Sequence, residues 1–99
     1  MSTHANELPI PPKASGSPDA RELARVWAAA GAQHVSLATG LWEDPAGWGL
    51  MLVDLMKHVA NAYHQSSGQD QVEILARIKE GFDAEWKSAT DQPDGGLVD

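Results

Sequence analysis

The sequence predicts an α+β domain made of an N-terminal arm, a β-hairpin and two antiparallel helices. Three observations carry this. Trp42 to Tyr63 is a long, largely apolar run that opens on Asp44-Pro45, a helix start. Leu75, Ile78, Phe82 and Trp86 recur at helical spacing. Gln33 to Leu37 alternates as a strand does, and a lone strand leaves its backbone groups without partners.

The arm comes first. Residues 1–18 hold Pro9, Pro11, Pro12 and Pro18 with Gly16, so an extended or disordered leader is expected there. Pro9-x-x-Pro12 lacks a flanking Arg anchor, and a stiff leader is its reading rather than a docking peptide. The next stretch is ambiguous. Leu23, Val26, Trp27 and Ala30 fall at i, i+3, i+4 and i+7, which suits a helix. Reading Leu23 to Ala29 as a strand instead gives Gln33 to Leu37 its partner, with a turn at Ala30-Gly31-Ala32 and Gly31 at positive φ. The hairpin is preferred. The alternative is a helix followed by a single strand paired across a dimer axis.

The first long helix is expected from Pro45 to about Gln65. Trp48, Leu52, Leu55, Val59 and Tyr63 make its main apolar stripe, and Leu50 and Val53 lie on its far side. A helix apolar nearly all round must be covered on more than one side. The second is expected from about Gln71 to Ser88, with a buried stripe of Leu75, Ile78, Phe82 and Trp86 and with Ile74 beside it. Asp70 and Glu73 approach a capping box, and Glu73/Arg77 and Asp83/Lys87 are spaced for ion pairs. Residues 19–89 thus read as a single domain, followed by a disordered tail over 90–99 that carries Pro93 and Gly95-Gly96.

The runs Arg25-Val26-Trp27-Ala28-Ala29, Gln33-His34-Val35 and Trp42-x-Asp44-Pro45-x-x-Trp48-Gly49-Leu50-Met51-Leu52-Val53-Asp54-Leu55, followed by His58-Val59-Ala60 and Ala62-Tyr63, resemble a small bacterial family designated domain of unknown function 5076. Asp-Pro-x-x-Trp-Gly is the most specific part of the likeness. The resemblance implies a turn at Ala30-Gly31-Ala32, often longer in the family, and so a hairpin. It implies no activity.

Composition narrows function by exclusion. Fourteen acidic residues against seven basic ones give a net charge of −7, which opposes binding to nucleic acid or to an anionic membrane surface. The chain has no cysteine, so disulfides, thiolate metal sites and thiol nucleophiles are excluded. No leader with a basic start and a long apolar run is evident, and a cytoplasmic protein is expected. No cofactor or metal is expected. His34, His58 and His64 have no paired ligand spacing. Gly47 and Gly49 flank Trp48 where glycine weakens a helix, which points to close packing there by a strand or a partner subunit. An anion at that helix start would meet Glu43 and Asp44.

Two functional readings follow. The first is a non-enzymatic homodimeric interaction or assembly module, with Trp48, Leu50, Met51 and Val53 as interface candidates on the central helix, or with the hairpin edge as the contact. The second is a small-molecule binder or enzyme with a polar site of Asp54, His58 and Asn61. Asp54 lies in an apolar stretch, and His58, one turn on, is placed to donate to it.

Overall fold

The computed structural model describes residues 3–88. The tail expected over 90–99 lies outside the described residues. Contacts divide the chain into two units that meet between Leu41 and Trp42.

The first unit holds the arm and the hairpin. The arm is extended apart from one helical turn, α1, Pro12–Ser15, which starts where Pro fits the first helical positions. Strands β1, Ala24–Ala29, and β2, Ala32–Leu37, pair antiparallel, with Ala29 opposite Ala32 and Ala24 opposite Leu37. The helical spacing around Leu23 to Ala30 is thereby overruled, because backbone pairing with β2 satisfies groups that β2 alone would leave open. The turn is tighter than the expected three residues. Ala30 at φ 52° and Gly31 at φ 75° both sit in the left-handed region, the two-residue geometry that matches strand twist. Gly31 suits it, whereas Ala30 carries a Cβ penalty.

The second unit holds two helices, α2, Ala46–Ser67, and α3, Gln71–Lys87. Asp44 accepts the Ala46 amide at 3.0 Å, so the helix begins where Asp-Pro predicts. Gly68, at φ 77°, ends α2 and donates its amide to the His64 carbonyl at 2.8 Å. Asp70 stands at the N-cap of α3, but its side chain makes no cap bond, so the expected capping box is not formed. The ion pairs also differ from expectation. Arg77 pairs with Glu80 at 2.9 Å and Lys79 with Asp83 at 2.8 Å. All of these side chains are exposed, and choices between i+3 and i+4 partners on a wet surface differ by only a few tenths of a kcal/mol.

Burial departs most from the expectation of a covered central helix. Ala60 on α2, 1% exposed, and Ile74 on α3, 8% exposed, are the buried apolar residues among those described. They mark the line where the helices cross. Phe82 and Trp86, expected in the buried stripe of α3, are exposed, as are Leu52, Leu55, Val59 and Tyr63 of the main α2 stripe.

Candidate functional site

The described residues present several open faces. In the hairpin, alternate residues point to opposite sides. Arg25 and Trp27, with Ser36 and His34 opposite them, form one face. The arm covers β1 there. The His4 ring meets Trp27 edge-on with centroids 5.0 Å apart, and Glu7 forms an ion pair with Arg25. Ala24, Val26, Val35 and Leu37 form the other face, and its three large side chains are exposed.

The helical unit can be oriented from two contacts. Tyr63 borders a shallow cleft with Glu73, Ile74, Arg77 and Ile78 of α3. Asn61 accepts a hydrogen bond from the Gln71 amide at 3.0 Å. At roughly 100° per residue, Tyr63 and Asn61 fall on opposite sides of Ala60. Trp48, Leu52, Leu55 and Val59 share the Tyr63 side of α2, over the polar Glu73 and Arg77. Leu75, Phe82 and Trp86 share the Gln71 side of α3, where Leu50 and Val53 of α2 also point. α2 is therefore apolar toward the Tyr63 side, and both helices carry apolar residues toward the Asn61–Gln71 side. The Phe82 and Trp86 rings stack with centroids 5.7 Å apart.

The residues singled out as interface candidates separate in the structure. Leu50 and Val53 are exposed on the Asn61 side of α2. Trp48 is half-buried on the other side, edge-on to Trp42 at 5.2 Å. Met51 is half-buried on the side of α2 remote from Ala60. Gly47 is explained by Trp42, since a Cβ there would stand 2.6 Å from the Trp42 Cγ. A Cβ on Gly49 would meet nothing within 4 Å, so the close packing expected at both glycines applies to Gly47. Phe82 and Trp86 were legible as apolar but not as exposed. Their offset around α3 from Ile74 was the available signal.

The polar candidates do not converge. Asp54 and His58 are exposed and no hydrogen bond joins them, while Asn61 is engaged by Gln71. Of the histidines, His34 bonds the Ala29 carbonyl at 3.2 Å, and His64 bonds the Gln69 carbonyl at 2.6 Å through Nδ1. Among the described residues no group of three His, Cys, Asp or Glu is placed to hold a metal ion. A cleft of about 690 Å³ lies between the arm and β1. Its Arg25 is taken by Glu22 and Glu7, whose hydrogen bonds hold the guanidinium above its ordinary pKa. Asp19 is held below the usual carboxylate range by the Ser17 hydroxyl, at 2.7 Å, and by its own amide. No helix among the described residues is long and apolar enough to cross a membrane.

No curated protein matches the chain. Four solved chains do. One, from the photosynthetic bacterium Rhodopseudomonas palustrus CGA009 and named provisionally as a pyruvate dehydrogenase, is 35% identical over 94% of this chain and 95% of that one, with a TM-score of 0.68. The sequence pattern of the domain of unknown function DUF5076 matches residues 7–90, across the arm, the hairpin and both helices, and the chain belongs to that family.

Proposed function

We propose that this protein is a small cytoplasmic homodimeric module that works by assembly or by binding another protein, not by catalysis. One observation carries the reading. Large apolar side chains stand open on the hairpin and on both helices, while only Ala60 and Ile74 are buried among the apolar residues described. A chain of 99 residues with so little internal cover gains most by association.

Two further points support it. Asp54, His58 and Asn61 are dispersed over a solvated flank, and a general base needs a partner and a pocket that they lack. The starts of α2 and α3 carry Asp44 and Glu73, which oppose an anion there.

Sedimentation equilibrium at micromolar concentration tests the reading. The expected mass is twice the 10.6 kDa of one chain. A single species at 10.6 kDa across the accessible range would overturn it.

A further inference from the structure

We infer that the free edge of β2 pairs antiparallel with β2 of a second copy of this chain, across a two-fold axis at Val35, and joins two hairpins into one four-stranded sheet. This rests on the homodimeric reading above and deepens it by assigning the surface.

The backbone shows which groups are free. Ala38 donates its amide to the Leu23 carbonyl at 2.9 Å, which continues the register that sets Leu37 opposite Ala24. Antiparallel partners alternate between pairs that exchange hydrogen bonds and pairs that do not. Counting back from Ala38, residues Ser36, His34 and Ala32 turn their backbone groups toward β1. Leu37, Val35 and Gln33 turn theirs away. The sheet has two strands, and these outward groups make no backbone hydrogen bond among the described residues. Every residue of β2 is exposed. Such an edge is a template for another strand.

An identical strand fits that template. With Val35 opposite its own counterpart, Gln33 meets Leu37 in both directions, and all of these pairs are of the kind that exchanges two hydrogen bonds. Setting His34 opposite itself instead keeps only the two pairs of Gln33 with Val35, so the axis at Val35 retains the most bonds. Val26 already stands opposite Val35 within the hairpin. The same register therefore runs one row of valines, 26, 35, 35 and 26, across the joined sheet. Val26 is 60% and Val35 49% exposed in the single chain, and β-branched neighbours on one face stabilise a sheet. A lone two-stranded hairpin is marginal in water, whereas four strands with an apolar face are not.

Charge selects the same edge. Two copies of a chain of net charge −7 repel each other. From Val26 to Trp42 the chain holds no Asp, Glu, Lys or Arg, its longest uncharged stretch, so two β2 strands meet without like-charge cost. β2 also lacks the Lys and Pro with which edge strands are commonly blocked. β1 offers no equivalent, because the arm lies against it and places Pro9 and Pro11 in the cleft beside Ala24 and Val26.

The experiment uses the full chain in a concentration series across the micromolar range, followed by sedimentation velocity and by amide hydrogen exchange in NMR. The amides of Gln33, Val35 and Leu37 are expected to slow about 10-fold or more as the dimer forms, while those of His34 and Ser36, already turned to β1, change less. Val35→Lys and Val35→Glu are each expected to weaken the dimer about 30-fold or more, since each sets like charges against each other at the axis. An equimolar mixture of the two variants is expected to associate again, which a damaged hairpin would not do. Since the protein has no cysteine, Val35→Cys and Val26→Cys each place a single thiol. A short bis-maleimide is expected to couple Val35→Cys into a dimer and to leave Val26→Cys uncoupled, because its counterparts stand three strand spacings, about 14 Å, apart. A parent chain that is monomeric throughout would defeat the homodimeric reading and this assignment with it. A parent dimer in which the amides of Gln33, Val35 and Leu37 exchange as freely as in the dilute chain, or which survives both charged substitutions, would defeat this assignment alone and move the interface to the helices.

Discussion

The hairpin unit covers one face of its sheet with its own chain, whereas the helical unit leaves most of its apolar stripes open. In the first, residues 3–22 supply a ring against Trp27 and a carboxylate against Arg25, so Trp27 is half-buried although the sheet has only two strands. In the second, the two helices meet along Ala60 and Ile74 and put their largest side chains elsewhere. The hairpin shows how little chain is needed to cover a narrow sheet. The helix pair shows that amphipathic stripes need not point at each other.

Substitutions can break or sharpen this contrast. The largest effect is expected at the crossing of the helices. Ile74→Ala should cost about 2–4 kcal/mol, because it empties the one large buried side chain joining α2 to α3. A urea melt followed by far-UV circular dichroism measures it, and an unchanged midpoint would mean that the helix contact lies elsewhere. Next in size is Gly47→Ala. Its new Cβ would meet the Trp42 ring at 2.6 Å, and moving that ring gives up the edge-on contact with Trp48. A loss of about 1–3 kcal/mol is expected, with a changed near-UV tryptophan signal. Retention of both stability and signal would remove Trp42 from the packing of the helical unit.

The hairpin unit should respond more weakly and in one case favourably. Ala30 holds φ 52°, which an L-residue with a plain Cβ dislikes. Ala30→Asn keeps the turn and lowers that strain, so a gain of about 0.5–1 kcal/mol is expected from thermal melts. A loss would indicate that the turn is not of the two-residue type. The smallest effect concerns acid. Asp19 has a depressed pKa in the folded chain, so its contribution is present above the unfolded value of 3.8 and fades as pH falls through the folded value. Ser17→Ala removes the main cause, and the Asp19 carboxyl should then titrate closer to 3.8 in an NMR pH series. No movement would assign the depression to the backbone amide.

How much of this was legible in the sequence differs by scale. Both helices, the hairpin and the Asp44-Pro45 start follow from residue type and spacing, which act over a few residues. The choice of strand over helix at Val26-Trp27 needed only the argument that β2 requires a partner. The ion pairs of α3 were not legible, because Arg77 has acidic neighbours at both Glu73 and Glu80 and their energies nearly tie. The bareness of Phe82 and Trp86 was hidden for another reason. Periodicity marks a side chain as apolar and gives its angle around its own helix, but the angle at which a neighbouring helix approaches comes from the pair. Asp54 looked costly in an apolar run because that run was read as covered. On an open flank it is an ordinary solvated carboxylate.

The short connections within each unit carry a kinetic consequence. β1 and β2 are joined by Ala30-Gly31, and α2 and α3 by Gly68 to Asp70. Pairings between sequence neighbours close small loops, so the hairpin and the helix pair form on the microsecond-to-millisecond scale typical of low contact order. For the homodimer proposed above, the last event in refolding is then the second-order association of two folded copies. Its half-time halves when the protein concentration doubles, and the apolar side chains stay open during the wait. Dilution protects such a chain from collisions with the wrong partner and, by the same measure, delays its meeting with the right one.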